Sequence, residues 1–85
     1  MIVVFHASFK KRFRKLPPKV REAFYARMEI FLLSPHHPLL HDHSVGRAYP
    51  RHRSINITGD VRALYTGSAD RVIFMLIGTH AELYG

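Results

Sequence analysis

The chain has 85 residues, 47% hydrophobic and 22% charged, with no cysteine and a net charge of +7 when histidine is counted neutral. That length allows one small domain (residues 1–85) with a single two-layer core that buries roughly two-thirds of the unfolded surface. The missing cysteine excludes disulfides, thiolate chemistry and the usual structural zinc sites, while so one-sided a charge points to a polyanionic partner.

Met1 to His6 is β-branched and aromatic without a breaker, which predicts a strand. The N-terminus runs apolar first and basic afterwards, the reverse of a secretory signal. No apolar run approaches the roughly 18–20 residues that span a bilayer. The expectation is a cytoplasmic protein with no membrane role. Ser8 is a candidate cap for a short helix with Phe9, Phe13 and Leu16 on one side and Lys10, Lys11, Arg12, Arg14 and Lys15 around the rest. Pro17-Pro18 ends it and opens a second helix, Lys19 to about Leu33, with Val20, Phe24, Phe31 and Leu32 on one stripe and Ala23 and Met28 beside it. So short a connection predicts an αα-hairpin.

Ser34 to Pro50 is a long loop rich in histidine and proline. Three strands are expected after it. Arg51 to Thr58 alternates, with Ile55 and Ile57 on one face and Ser54, Asn56 and Thr58 on the other. Gly59-Asp60 reads as a tight turn into Val61 to Thr66. Arg71 to Ile77 is nearly all apolar, hence a central strand covered on both faces. The order β-α-α-β-β-β predicts an α+β fold, a small twisted sheet packed by an N-terminal helical hairpin.

The chemistry concentrates in a few places. The segment Ile77-Gly78-Thr79-His80-Ala81-Glu82-Leu83-Tyr84 sets an imidazole and a phenol just past an apolar strand. Histidine can exchange a proton near neutrality, though a satisfied structural histidine fits His80 equally from pattern alone. Tyr84 either staples the tail or stacks on a base. The loop holds His36, His37, His41, Asp42 and His43. Their spacing matches no established ligand pattern, so no metal or other cofactor is expected. His36 and His37 read as solvated, whereas His41 and His43 share a side if the backbone there is extended. Asp60 is ordinary turn chemistry and Arg62 an ordinary strand charge unless the C-terminal segment crosses their face. An arginine there could neutralise a phosphate. Five cations among the six residues Lys10 to Lys15 exceed what solubility requires and suit phosphate contact of low sequence specificity.

Taken in order, these residues resemble the RelE/ParE superfamily of bacterial toxins, and within it the YafQ-like mRNA interferases. The likeness runs through the initial strand, the Leu16-Pro17 hinge and His37-Pro38-Leu39-Leu40-His41-Asp42-His43. It continues in Tyr49, Arg53-Ser54-Ile55-Asn56-Ile57-Thr58-Gly59-Asp60-Val61-Arg62, Leu64-Tyr65 and the Ile77–Tyr84 segment. The resemblance implies an endoribonuclease that cuts mRNA in the ribosomal A site, and an acidic antitoxin partner. By position it implies catalytic roles for His43, Asp60 and His80, the last as general acid. Arg62 falls where an arginine steadies the phosphate, and Tyr84 where an aromatic side chain meets substrate. Asn56 departs from the pattern: it stands where YafQ-like enzymes carry another active-site histidine, and an amide cannot exchange a proton near neutrality. Asn56, Arg53 and His41 join Tyr84 as expected substrate contacts, while Lys10, Lys11, Arg14, Lys15 and Arg47 are expected to hold ribosomal RNA. Two alternatives stay open. One is a ParE-like poison of DNA gyrase, against which the joint presence of His43, Asp60 and His80 counts. The other is a toxin-fold relic that only binds RNA or an acidic partner, which Asn56 keeps alive.

Overall fold

The ring of Phe74 is fully buried, with Phe5, Phe9, Phe24, Phe31 and Tyr65 all at centroid distances of 5.5–5.9 Å. The computed structural model, which describes residues 1–68 and 70–85, is built outward from this aromatic cluster. In chain order the elements are β1 (Ile2–Phe5), α1 (Ala7–Phe13), α2 (Pro18–Leu33), a single 3-10 turn (Pro38–Leu40), β2 (His43–Ser44), β3 (Arg53–Asn56), β4 (Val61–Ser68), β5 (Arg71–Thr79) and α3 (His80–Tyr84). They form one five-stranded sheet in the order β1-β5-β4-β3-β2. β1 runs parallel to β5, and the other pairs are antiparallel. The α+β architecture expected from sequence is present and β5 is an interior strand. Two short elements were not expected: β2 inside the histidine loop, and α3 at the end.

The cap of α1 is His6 rather than Ser8. His6 Nδ1 accepts from the Ser8 amide at 3.1 Å, and the Ser8 hydroxyl donates to Met75 O at 2.7 Å. That bond seats α1 against β5 beyond the end of β1, where the strand edge would otherwise carry an unpaired carbonyl. α2 buries Phe24, Met28 and Phe31. Leu32 is 53% exposed, contrary to the expected stripe. Eight residues past Phe24 at 3.6 residues per turn, it points about 80° away from that side chain.

The β4–β5 ladder pairs Leu64 with Leu76 but Tyr65 with Phe74, which leaves Met75 with no partner. Such a bulge changes the side on which the following residues emerge. Phe74 and Ile77, three apart, therefore both enter the helix-side core, as do Ala63 and Tyr65. Ser54, Asn56, Arg62 and Leu64 emerge on the opposite face, away from α2. The β3–β4 connection also differs from the tight glycine turn expected. Gly59 has no positive φ, and the turn spans four residues from Ile57 to Asp60, with Ile57 N donating to Val61 O at 2.9 Å.

Truncating a buried aromatic leaves a cavity that a close-packed core closes only in part. Phe24→Ala should lower unfolding free energy by about 3–5 kcal/mol, whereas Leu32→Ser should stay within about 0.5 kcal/mol. Urea denaturation followed by circular dichroism checks both, and comparable losses would mean that the α2 faces are misassigned.

Candidate active site

The β3–β4 turn is closed by a side chain. Thr58 Oγ1 accepts from the amides of Asp60 at 3.3 Å and Val61 at 3.0 Å. Arg62 braces the same turn: Nη1 donates to Thr58 O at 2.8 Å and Val61 O at 3.1 Å, and Nη2 donates to Gly59 O at 3.2 Å. Nε–H and the second Nη2–H have no acceptor among the described residues. They form one edge of the guanidinium, a fork suited to two oxygens of one phosphate.

α3 folds back on to this turn, with His80 N donating to Asp60 O at 3.2 Å. A reciprocal cap starts the helix: Thr79 Oγ1 accepts from Glu82 N at 3.1 Å, and Glu82 Oε1 accepts from Thr79 N at 2.7 Å. The Thr79 amide holds the exposed Glu82 carboxyl below its ordinary range. One helical turn apart, the rings of His80 and Tyr84 lie 4.8 Å from each other. Tyr84 meets Tyr49 edge-on at 5.7 Å, and the Tyr49 hydroxyl donates to Leu83 O, tying the loop to α3. Burial pushes the Tyr84 phenol above its ordinary value, Tyr49 adds to that, and the nearby Arg62 guanidinium works in the other direction. Asp60, Arg62, His80 and Tyr84 thus converge on one corner.

Cross-strand partners project to the same side of a sheet. Asn56 pairs with Arg62, and Arg62 with Gly78. The adjacent row is His43, Ser54, Leu64 and Leu76. His43 and Asn56 therefore share the face away from α2 with Arg62, and His43 lies roughly 10 Å across it from β4, two strand spacings away. Ser54 Oγ and Asn56 Oδ1, both on this face, are buried with no hydrogen-bond partner among the described residues. Such groups cost stability, and faces shaped by function carry them more readily than cores do.

His43 Nδ1 lies 2.8 Å from His41 O. A carbonyl can only accept, so Nδ1 carries a proton, and in the neutral ring Nε2 then presents a lone pair. The rings of His41 and His43 are 4.9 Å apart. They do share a side, but through a left-handed residue (His41, φ 46°) at the end of the 3-10 turn rather than through extended backbone. Arg53 stands apart from the corner. It pairs with Tyr65, and its Nε donates to Asp42 Oδ1 at 2.7 Å. The Asp42 side chain is only 2% exposed, and Oδ2 accepts from the Tyr65 hydroxyl. The bond to Asp42 raises the Arg53 guanidinium, and burial followed by the carboxylate pushes the Tyr65 phenol far up. Sequence reading missed this triad. Its members are far apart in the chain, and a tyrosine in an apolar strand is the only hint of it.

Lys10, Lys11, Arg14, Lys15 and Arg47 are all exposed, but the α1 cations do not form one face. Lys10 and Arg14 rim an apolar groove of about 260 Å³ lined by Phe5, Phe9, Phe13, Phe24 and Tyr25. Lys11, Arg12 and Lys15 surround a second depression, against Glu82 of α3. Among the described residues no three histidines or carboxylates are grouped to hold a metal, and no helix is long and apolar enough to cross a membrane.

No protein-family model matches the sequence, and no curated protein does. Solved structures do match over nearly the whole chain. YafQ from E. coli strain BL21(DE3) superposes with a TM-score of 0.82 at 17% identity, covering 98% of this chain and 97% of that one. The RelB–RelE antitoxin–toxin complex from Methanococcus jannaschii gives 0.75 at 18% identity, with 95% and 94% covered. The E. coli DinJ–YafQ complex gives 0.71 at 19%, with 98% and 97% covered.

The cap on α3 is open to a direct test. Glu82 is held below its ordinary range, so its contribution to folding is complete above the unfolded glutamate value and disappears as pH falls through the lower folded value. Amide exchange at His80–Tyr84 should therefore accelerate only under clearly acidic conditions. Thr79→Ala should destabilise α3 by about 1 kcal/mol at neutral pH, read as faster exchange there. Unchanged protection in the variant would remove the cap from the account.

Proposed function

Because the chain has the YafQ-like fold of the RelE/ParE superfamily, we propose that it is the toxin of a type II toxin–antitoxin pair. Its proposed activity is ribosome-dependent, metal-independent endonucleolytic cleavage of mRNA in the cytoplasm. The observation that carries this reading is the convergence of Asp60, Arg62, His80 and Tyr84 on one corner of a face that also bears His43. His43 Nε2 or the Asp60 carboxylate takes the proton of a ribose 2′-hydroxyl. The resulting oxygen attacks the adjacent phosphorus, the free edge of Arg62 holds the non-bridging oxygens as charge builds, and His80 protonates the departing 5′-oxygen. The products are a 2′,3′-cyclic phosphate and a 5′-hydroxyl end. DNA, which lacks the nucleophile, is not cut. Tyr84 stacks on a base beside the scissile bond, and Asn56 donates a hydrogen bond without exchanging a proton. The Lys11–Lys15 side of α1, next to α3, holds ribosomal RNA together with Arg47.

Two of the similar structures are toxin–antitoxin complexes, and the partner of this chain is an acidic antitoxin. Its apolar side chains fill the aromatic groove while its carboxylates meet Lys10 and Arg14 on the rim.

Cleavage mapped by primer extension on programmed ribosomes tests the enzyme. His80→Ala should lower the single-turnover rate by about 10²- to 10⁴-fold, and wild-type fragments should carry 5′-hydroxyl ends. Intact mRNA together with induced DNA-damage signalling would instead indicate gyrase poisoning, and RNA binding without cleavage an inert relic. For the partner, the double substitution Lys10→Glu with Arg14→Glu should weaken antitoxin affinity at least about 100-fold by calorimetry. Undiminished affinity would move the interface elsewhere.

A further inference from the structure

Asp42 lies between the two loop histidines, yet its carboxylate turns inward. Its side chain is 2% exposed, and each oxygen has its own donor, Arg53 Nε at 2.7 Å on Oδ1 and the Tyr65 hydroxyl on Oδ2. The two donors come from adjacent strands: Arg53 and Tyr65 are cross-strand partners in β3 and β4. Tyr65 is a rigid post, its ring set against Phe31 at 5.2 Å and Phe74 at 5.5 Å in the core. The loop above it is also held by Leu40, buried in the core, and by Arg27 Nη1, which donates to Leu39 O at 3.0 Å. β2 has two residues, His41 has a left-handed backbone, and the His43 imidazole is exposed. The next residue after Asp42 is His43, whose Nδ1–H donates back over Asp42 to His41 O at 2.8 Å. The peptide geometry on both sides of Asp42 therefore sets that bond, and with it the tautomer that leaves the Nε2 lone pair facing outward.

We propose that Asp42, gripped by Tyr65 and Arg53, is the positioning residue that fixes His43 in its Nδ1–H tautomer and aims Nε2 at the substrate's 2′-hydroxyl. The aiming role rests on the proposed ribonuclease reading, whereas the tautomer does not. The grip acts through the backbone, so neither Tyr65 nor Arg53 touches substrate. It also accounts for Arg53 standing apart from the corner although it lies in the stretch that carries the site.

The test uses the whole chain carrying Tyr65→Phe, which removes one oxygen and keeps the ring in the core, with Asp42→Asn as a second variant. Two-dimensional ¹H–¹⁵N correlation through the imidazole carbons should show Nδ1–H His43 in the wild type and a mixture of tautomers in Tyr65→Phe. Single-turnover cleavage by that variant should be about 10- to 100-fold slower with the substrate concentration at half-saturation unchanged, a loss confined to aim rather than binding. In a His43→Ala background Tyr65→Phe should cost nothing further. An equal loss in both backgrounds, or an unchanged tautomer in Tyr65→Phe, overturns the proposal. Should His43→Ala cleave like wild type, or should wild type cleave nothing, the reading of His43 as base fails. The tautomer in Tyr65→Phe and Asp42→Asn then still decides whether the grip exists.

Discussion

Between the Leu64–Leu76 and Tyr65–Phe74 pairs the ladder passes over Met75, and much of the molecule depends on that skipped residue. A strand of strict alternation would send Phe74 and Ile77 to opposite faces. With the skip, both join Phe9, Phe24 and Phe31 in one core. On β4 itself the alternation is regular, with Arg62 and Leu64 on the face away from α2 and Ala63 and Tyr65 on the core side. The skip thus brings Phe74 and Ile77 of β5 into step with the regular alternation of β4, which separates the charged face from the aromatic core and turns the Tyr65 phenol toward Asp42.

The face away from α2 works with little material. Its catalytic candidates come from four places: β2, the β3–β4 turn, β4 and α3. Backbone bonds join them, with the His80 amide on Asp60 and the Arg62 guanidinium on the turn carbonyls. Arg62 has a double part in this arrangement. The edge that braces the turn holds Asp60 in place, and the other edge remains free. Positive charge on this face is therefore held in place by the fold, which is the condition under which electrostatic stabilisation is most effective.

Much of this was legible in the sequence, and the rest was hidden for definite reasons. β1, α2, β4 and β5 declare themselves through β-branched runs and the spacing of phenylalanines, and β5 through its lack of polar residues. The resemblance points to Asp60, Arg62, His80 and Tyr84, residues that the fold brings to one corner. Three things could not be read. A bulge leaves no mark in composition, because Met75 is as apolar as its neighbours. A two-residue strand such as β2 falls below any periodicity. The Asp42 triad joins residues 11 and 23 positions apart, and no local pattern encodes such pairing. Residue preference favours a Ser8 cap and a glycine turn, but the Ser8 hydroxyl bonds Met75 O while His6 caps α1, and the Thr58 hydroxyl closes the turn.

The parallel pairing of β1 with β5 joins Ile2 to Arg71, almost the full length of the chain, and that has a consequence in time. Contacts so distant in sequence form only after long loops have closed, so folding is expected to be slow for the size of the chain. Until β5 is in place, β1 has no neighbour and the aromatic cluster lacks its central ring. The corner built by α3 follows β5 directly and cannot form ahead of it. A partly folded chain would then carry no partial site: the corner arrives with the completed sheet, in a single cooperative step.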